Sequence, residues 1–353
     1  MVTGRAGRRL AALLLAPALL SGCAATGSAA QQAGPAAELR LGYFDTVTHA
    51  PALVGLDQGL LQDALGDTTL SAQVLGAGPA AIEALSAGAI DAAYLGPNPV
   101  VNSFVQSAGR SVRIVAGAAT GGAALVVRPG ITDASDLAGT TIATPQLGNT
   151  QDVALRSWLD DQGYATSTTG DGDVDIVPTD NAQAYALFAS GAIDGAWLPE
   201  PWVSRFVLEA GAQVLVDEAS LWPDGAFPTT VLAVSSDFLA AHPDTVAALV
   251  AGHTASVDWL DDNPDQAAAA INRILVADTG TPLPDAVLER ALAGVTFTTD
   301  PLAATFPVLL QDGVDAGTTK AGSLTGLFDL GPLNRVRSSA GVGAAQDAGL
   351  GRE

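Results

Sequence analysis

The chain has 353 residues, of which 48% are hydrophobic, and its mean hydropathy is +0.31. This composition provides enough apolar surface for a packed core and excludes a disordered chain. The formal net charge is −22 and only 15 residues are lysine or arginine, so the chain lacks the basic stripe that nucleic-acid binding requires.

The N-terminus has the pattern of an export signal. Arg5, Arg8 and Arg9 precede an apolar run of eleven residues from Leu10 to Leu20. That run is shorter than the roughly 20 residues of a spanning helix but suits a signal peptide. We therefore predict a signal peptide over residues 1–22.

The single cysteine of the sequence, Cys23, follows this run. One cysteine forms neither an intrachain disulfide nor a cysteine-based metal site. The preceding residues give Leu-Ser-Gly-Cys, which resembles the lipobox of bacterial lipoproteins and implies lipidation of Cys23. Residues 23–37 are then the lipidated cysteine and a flexible tether rich in Ala, Gly, Ser and Gln. We expect the protein on the outer face of the cell membrane, held by its lipid anchor alone.

The first half of the chain alternates between strand and helix patterns. Thr48 is a candidate N-cap, because Pro51 stands in the first helical turn, where proline is tolerated. Gly121 and Gly122 either let the backbone approach a ligand or form a plain turn. The predicted strands are Leu39–Tyr43, Ser71–Leu75, Val112–Ala116 and Ala123–Arg128, with helices after Thr48 and after Pro79.

One pattern occurs twice along the chain. Residues 88–95 read Gly-Ala-Ile-Asp-Ala-Ala-Tyr-Leu and residues 191–198 read Gly-Ala-Ile-Asp-Gly-Ala-Trp-Leu, with six identities in eight positions. In each copy a helix ends at the glycine, and a short buried strand follows the aspartate. A period of about 100 residues is too long for a solenoid repeat, so the duplication predicts two related α/β lobes.

The second half repeats the order of the first. Strands are predicted at Thr141–Ala143, Val174–Val177 and Phe227–Val234, and a helix runs from Asn149 or Thr150 through Trp158. The predicted domains are lobe 1 over residues 38–125 and 226–332, lobe 2 over residues 126–225, and a disordered tail over residues 333–353.

Several of these segments resemble bacterial substrate-binding proteins of ABC importers, in the group that binds nitrate, taurine and aliphatic sulfonates. The segments are Leu41-Gly-Tyr-Phe44, Thr48-His-Ala-Pro51, both Gly-Ala-Ile-Asp copies, Gly148-Asn-Thr150, Trp197-Leu-Pro-Glu-Pro-Trp202 and Phe227-Pro-Thr-Thr-Val231. The resemblance implies an α/β, two-lobed periplasmic-binding-protein type II fold, in which each lobe is a mixed sheet flanked by helices and a two-strand hinge joins the lobes. The chain departs from its relatives at Asp45-Thr46, where many have Pro-Asn, so that asparagine contact is not carried over.

The loops after the buried strands are predicted to meet in one cleft, since ligands of open α/β sheets lie beyond the carboxyl ends of the strands. Helix N-termini after Thr48 and Asn149 suit a sulfonate or carboxylate without a basic side chain. The candidate ligand-binding residues are Phe44, Thr48, His49, Asn98, Gly121, Gly122, Asn149, Thr150, Glu200 and Trp202.

Several candidates keep a structural alternative. His49 and Asn98 either bind the ligand or hold their own turns, and Trp202 either walls the cleft or packs in the core. Glu200 has two interpretations. It binds the ammonium of a taurine-like zwitterion, or it pairs with Arg205 or caps the next helix.

Catalysis is not expected. The only lysine is Lys320, the three histidines are scattered, and no phosphate loop, zinc-protease motif or nucleophile elbow occurs. No cofactor and no metal are predicted. The predicted function is that of a monomeric, extracytoplasmic solute-binding lipoprotein that delivers a sulfonate-like anion or zwitterion to an ABC permease and its ATPase. The alternatives are a ligand-binding sensor lipoprotein and a thiamine-pyrimidine-related binding protein or enzyme.

Overall fold

The structure, a computed structural model, describes residues 34–352. The predicted signal peptide, Cys23 and most of the predicted tether lie outside the described residues. Between residues 34 and 352, no helix combines the length and the apolar character needed to cross a bilayer.

Two mixed sheets organise the described residues. The first sheet has the strand order β11-β4-β10-β3-β1-β2, and the second has the order β7-β6-β8-β5-β9. Helices flank both sheets, which confirms the predicted two-lobed α/β fold. The strands are β1 (Glu38–Tyr43), β2 (Thr69–Val74), β3 (Ala92–Leu95), β4 (Val112–Gly121), β5 (Ala123–Val127), β6 (Thr141–Thr144), β7 (Asp175–Pro178), β8 (Gly195–Pro199), β9 (Gln213–Asp217), β10 (Pro228–Ser235) and β11 (Val295–Phe297).

Both sheets follow one plan. Strand β1 lies between β2 and β3 and pairs in parallel with both, as β6 does between β7 and β8. A strand from elsewhere in the chain then adds in the antiparallel sense, β10 beside β3 and β5 beside β8. The matching order is the structural counterpart of the sequence repeat.

The aspartate of the repeat ties neighbouring strands together. Asp91 accepts a hydrogen bond from the backbone N–H of Arg40 at 2.9 Å, and Asp194 accepts one from the backbone N–H of Thr141 at 2.9 Å. Each donor belongs to the central parallel strand of its own sheet. Each aspartate also faces an arginine, Arg40 or Arg128. The duplicated Gly-Ala-Ile-Asp therefore has a structural role at the beginning of each buried strand.

The helices pack on both faces of the sheets. The largest apolar core surrounds the first sheet, and two smaller cores lie against the second. A 3₁₀ turn over Val47–His49 precedes the first α-helix, so Thr48 is inside that turn and is not the N-cap that we predicted. The α-helices are α1 (Ala50–Asp57), α2 (Leu60–Leu65), α3 (Gly78–Ser86), α4 (Pro97–Gln106), α5 (Thr150–Asp161), α6 (Asn181–Ser190), α7 (Trp202–Ala210), α8 (Ser236–Ala241), α9 (Pro243–Asp262), α10 (Pro264–Thr279), α11 (Asp285–Ala293), α12 (Phe306–Asp315) and α13 (Gly331–Ser339).

The C-terminal segment differs from its prediction. Residues 333–353 were expected to be disordered because they are rich in Gly, Ala and Ser, but α13 occupies part of this segment. Leu333 is fully buried, and the backbone N–H groups of Gly326 and Phe328 donate to the carbonyl of Leu350. A few apolar anchors thus order a segment whose average composition is that of a flexible tail.

The chain crosses between the sheets twice. The first crossing is the pair Gly121–Gly122, between β4 and β5, and both residues have left-handed backbone angles, with φ of +77° and +71°. A Cβ on Gly122 would lie 2.3 Å from the side chain of Val295. Of the two interpretations of these glycines, a ligand contact or a turn, the backbone angles and the packing agree with the turn, and neither glycine lines the cleft.

The second crossing begins at a buried carboxyl group. Glu218 follows β9, is 2% exposed, and accepts a hydrogen bond from the indole Nε1–H of Trp197 at 2.7 Å. Burial raises the pKa of Glu218 to about 8, and the charges of Asp217 and Asp312 act in the same direction. Trp197 is fully buried and is a core residue.

We predict that stability falls between pH 6.5 and pH 8 because of Glu218. This carboxyl keeps its proton in the folded chain up to about pH 8 but has a pKa near 4.5 when unfolded, so its contribution is lost as the pH rises through that range. The loss should be about 1.5 kcal/mol. Denaturant unfolding at several pH values measures it, and Glu218→Gln, which keeps an acceptor for Trp197, should flatten the dependence.

The pH range of this prediction begins at 6.5 because the buried histidines affect stability only below that pH. Burial lowers the pKa of His49 to about 3 and that of His253 to about 4, from 6.5, so their contributions change below pH 6.5 and are constant above it. Equal slopes for Glu218→Gln and the native protein above pH 6.5 would contradict the prediction.

Candidate functional site

A cleft lies between the two sheets, at the carboxyl ends of their parallel strands. Its walls are the loops after β1, β2 and β3 of the first lobe and after β6, β7 and β8 of the second. The cavity volume is about 120 Å³, whereas one water needs about 10–15 Å³. The cleft therefore has room for a small solute. Five candidates from the sequence line it, namely Phe44, Thr48, His49, Asn149 and Trp202.

His49 presents a neutral N–H donor. Its ring stacks on Phe44 with the ring centroids 4.4 Å apart, and its Nδ1 accepts the backbone N–H of Phe44 at 3.1 Å. Burial lowers the pKa of His49 to about 3, so the ring is neutral and the proton sits on Nε2. Within residues 34–352 no hydrogen bond occupies Nε2. His49 thus holds its own turn through one nitrogen and leaves the other for a ligand.

Three helices begin at the cleft without side-chain caps. Ala77, Gly96 and Asn149 are the N-cap residues of α3, α4 and α5, and all three line the cleft. The Asn149 amide donates to the Gln151 side chain at 3.2 Å and makes no cap hydrogen bond. Proline has no N–H, and Pro79, Pro97 and Pro99 occupy three of these first-turn positions, so the backbone donors come mainly from α3 and α5. These N–H groups and the positive ends of the three helix dipoles suit an acidic group.

Two carboxylates also line the cleft, and neither was among the ligand-binding residues predicted from the sequence. Asp45 follows β1, and burial raises its pKa, an effect to which Asp278 and Asp180 add. Asp180 follows β7 and caps α6 by accepting the backbone N–H of Ala182 at 2.9 Å. Among the described lining residues there is no lysine or arginine. Their positions in the sequence could have identified them, because each lies two residues after the end of a parallel strand.

Trp202 forms part of the wall in the second lobe. It is the first residue of α7, and the guanidinium of Arg205 lies 4.7 Å from its ring centroid. Arg205 also lies over the ring of Tyr185 at 4.8 Å and pairs with Glu209 at 2.9 Å. The ring of Trp202 is therefore held by a cation–π contact and offers an apolar surface to the cleft.

Glu200 does not line the cleft. Its carboxylate accepts hydrogen bonds from the backbone N–H and the hydroxyl of Ser204, at 3.0 and 2.9 Å, and pairs with Arg290 at 3.2 Å. Of the interpretations left open, the structure supports the helix cap, and Arg205 is not its partner. Burial raises the pKa of Glu200, although the Ser204 bonds and Arg290 oppose the shift.

The backbone of Glu200 connects the lobes as well. The N–H of Val47, in the first lobe, donates to the carbonyl of Glu200 at 3.1 Å, and the N–H of Glu200 donates to the carbonyl of Gly122 at 2.8 Å. Arg290 belongs to α11, whose Leu288 and Ala291 are buried in the core of the first lobe. Glu200 thus links α7 of the second lobe to two elements of the first, the turn that contains Val47 and helix α11.

Gly96 permits a second close approach of the lobes. A Cβ on Gly96 would lie 2.2 Å from Oγ1 of Thr150, the first residue of α5. Thr150 and Asn98 do not line the cleft; both lie beyond this contact and line a separate cavity. The structure therefore does not bring these two candidates together with His49.

A family model described as the NMT1-like family matches residues 32–275, which is more than half of the chain. The chain belongs to the NMT1-like family.

The chain of this NMT1-like protein is similar to several binding proteins. It is 25% identical over 202 residues to a putative binding protein of Brucella abortus, covering 57% of this chain and 60% of the relative. It is 29% identical over 191 residues to the taurine-binding periplasmic protein of Escherichia coli, covering 53% and 56%. The matches thus span less than two thirds of the length of these curated relatives.

A solved structure shares the fold of this NMT1-like protein. The alkanesulfonate-binding protein SsuA of Xanthomonas axonopodis pv. citri, bound to MOPS, has a TM-score of 0.68 and 22% identity, covering 81% of this chain and 96% of its own. The relatives and this structural neighbour are binding proteins, and the E. coli relative is periplasmic.

We predict that Arg290→Ala shifts the lobes towards an open arrangement. The Arg290–Glu200 pair joins the lobes, and the loss of a partly exposed ion pair costs about 1 kcal/mol, or about fivefold in the ratio of open to closed protein. Small-angle X-ray scattering without ligand should give a larger radius of gyration than that of the native protein.

Arg273→Ala is the matched control. Arg273 also pairs with a buried carboxylate, that of Asp57, but the two residues lie in α10 and α1, which pack together in the first lobe. Its removal should leave the radius of gyration unchanged. An equal radius for Arg290→Ala and Arg273→Ala would show that the inter-lobe pair does not hold the cleft together.

Proposed function

We propose that this protein is an extracytoplasmic solute-binding lipoprotein that captures a small zwitterion between its lobes and delivers it to an ABC importer. The zwitterion carries a sulfonate or a related acidic group together with an ammonium. The single observation that carries the proposal is the pairing of uncapped helix N-termini with two carboxylates in one inter-lobe cleft.

The acidic group of the ligand would lie at the first turns of α3, α4 and α5. Backbone N–H groups and helix dipoles bind an anion without a basic side chain, and the neutral Nε2–H of His49 adds a donor. The chain can therefore bind an anion although its net charge is −22.

The ammonium would lie between Asp45 and Asp180. Two carboxylates in a cleft without lysine or arginine repel a simple anion and attract a cation. This assignment replaces Glu200, whose carboxylate is already bound by Ser204 and Arg290. The relatives support the same ligand class, because one is a taurine-binding protein and a structural neighbour is bound to MOPS.

Capture would proceed by closure of the lobes. A ligand favours the closed arrangement only to the extent that it binds that arrangement more tightly. His49 and Asp45 come from the first lobe, whereas Asn149 and Asp180 come from the second. A zwitterion that spans the cleft contacts both lobes and so draws them together, and we propose that the permease recognises this closed form.

The N-terminal sequence supports the proposed location of the protein outside the cell. The leader and Cys23 support export and a lipid anchor. We propose a monomer that performs no catalysis, and the binding proteins among its relatives support that assignment.

We predict that taurine binds more tightly than ethanesulfonate, which lacks the amine. Removal of a charge partner in the cleft should cost about tenfold in affinity, so Asp180→Asn should weaken taurine binding. It should strengthen ethanesulfonate binding, because it removes a carboxylate that repels the anion. Asparagine still caps α6, because it is as good an N-cap as aspartate. Isothermal titration calorimetry measures both affinities, and β-alanine in the same series separates sulfonate from carboxylate recognition.

Asp133→Asn provides the control. Asp133 caps a 3₁₀ turn of the second lobe, over Ala134–Leu137, as Asp180 caps α6, but it does not line the cleft. Its replacement should leave both affinities unchanged. If ethanesulfonate binds as tightly as taurine to the native protein, the ligand is not recognised by its ammonium and the zwitterion assignment is wrong.

A further inference from the structure

A second cavity lies between the lobes, on the other side of the Gly96–Thr150 contact. Its volume is about 190 Å³. The first lobe contributes Asn98 of α4 together with residues of α12, and the second contributes residues of α5. The crossing segment that begins at Glu218 closes one side. The cavity thus shares no lining residue with the cleft but is bordered by the same two lobes.

Two buried acceptors at this cavity have no partner. Asn98 and Thr150 are each 2% exposed, and within residues 34–352 neither Oδ1 of Asn98 nor Oγ1 of Thr150 has a hydrogen-bond partner. The Nδ2 of Asn98 donates to the carbonyl of Leu309 at 3.1 Å, which fixes the orientation of the amide. Buried polar atoms nearly always have a partner, so these atoms indicate a molecule that donates hydrogen bonds.

The ionisable side chains that line this cavity are all carboxylic acids. Glu218 is 2% exposed, Asp312 accepts the hydroxyl of Ser157 at 3.0 Å, and Asp161 lies at the exposed end. Lysine, arginine and histidine are absent from the described lining residues. Burial raises the pKa of both Glu218 and Asp312, and each is raised further by neighbouring carboxylates. Any charge in the lining of this cavity is therefore negative.

Aromatic rings form the apolar part of the wall. Trp158 belongs to α5 and Trp222 to the crossing segment, and both line the cavity with half-buried side chains. Faces of indole rings attract cations and accommodate alkyl chains. A metal ion does not fit this arrangement, because no group of three or more carboxylate, histidine or cysteine side chains in the described residues is placed to hold one.

We propose that this second cavity binds a small primary alkylammonium ion. The three N–H donors of such an ion match the unpartnered oxygens of Asn98 and Thr150, and its charge matches the carboxylates of Asp312 and Asp161. Its alkyl chain would lie against the two tryptophans. The site is separate from the solute cleft and from its proposed ligand.

Occupation of the second cavity would favour the closed lobes. Asp312 and Asn98 come from the first lobe and Thr150 from the second, so a bound ion contacts both. A ligand that favours the closed arrangement raises the affinity of the cleft for its own ligand, and the effect is reciprocal. The second cavity is in this sense a regulatory site.

The test is isothermal titration of the full-length mature protein with n-butylammonium and with 1-pentanol, a neutral molecule of similar size. Butylammonium should bind and quench tryptophan fluorescence, and the quenching should be lost in Trp158→Phe. Pentanol should bind about tenfold more weakly or not at all. Absence of butylammonium binding would overturn the proposal and leave ordered water as the partner of Asn98 and Thr150.

Variants locate the binding. Asp312→Asn should weaken butylammonium binding by about tenfold, and Asp315→Asn, on the same helix but outside the cavity, should not. Glu218→Gln, which keeps the Trp197 bond, should change butylammonium binding little below pH 8, because Glu218 is already protonated there. Binding that depends on Asp180 and not on Asp312 would place the ion in the cleft, so the second site would be wrong while the proposed function stood.

Discussion

The hydrogen bonds of the Glu200 backbone are the constraint on which the site depends. The carbonyl of Glu200 accepts from Val47, and its N–H donates to Gly122, so one residue of the second lobe is fixed both to the first lobe and to the first crossing. Gly122 is also half of the first crossing, where the backbone is left-handed. The loop that carries Trp202 is thereby held opposite the loop that carries His49. The cleft has its described shape only while these contacts persist.

Electrostatics then decide what the cleft accepts. The Glu200 carboxylate would repel an anion, but Ser204 and Arg290 bind it away from the cleft. The fixed charges that remain in the lining are those of Asp45 and Asp180, opposite a set of helix N-termini. Positive backbone dipoles and negative side chains in one small volume are complementary to a dipolar molecule. A highly acidic protein can therefore bind an acidic group, provided that the same molecule also carries a cation.

Local patterns predicted the fold well but the site only in part. The duplicated Gly-Ala-Ile-Asp, alternating hydrophobicity and the position of Pro51 are local signals. They predicted nine of the eleven described strands, the two lobes and the loops of the cleft, but not β9 or β11. The side-chain partners of Asn98 and Glu200 were not predictable, because Leu309 and Arg290 are 211 and 90 residues away. Composition gave a wrong prediction at the C-terminus, where a few buried residues order a segment that consists mostly of small and polar residues.

The Gly96–Thr150 contact separates two cavities that one motion would affect. Gly96 lines the cleft and Thr150 lines the second cavity, and the absence of a side chain on Gly96 lets the lobes meet at this point. If the lobes separate there, both cavities lose one wall, since each draws its lining from both lobes. A molecule bound in one cavity therefore affects the closure of the lobes, on which binding in the other cavity depends. Coupling between the two cavities follows from the two lobes that border both of them and needs no conformational pathway through the lobes themselves.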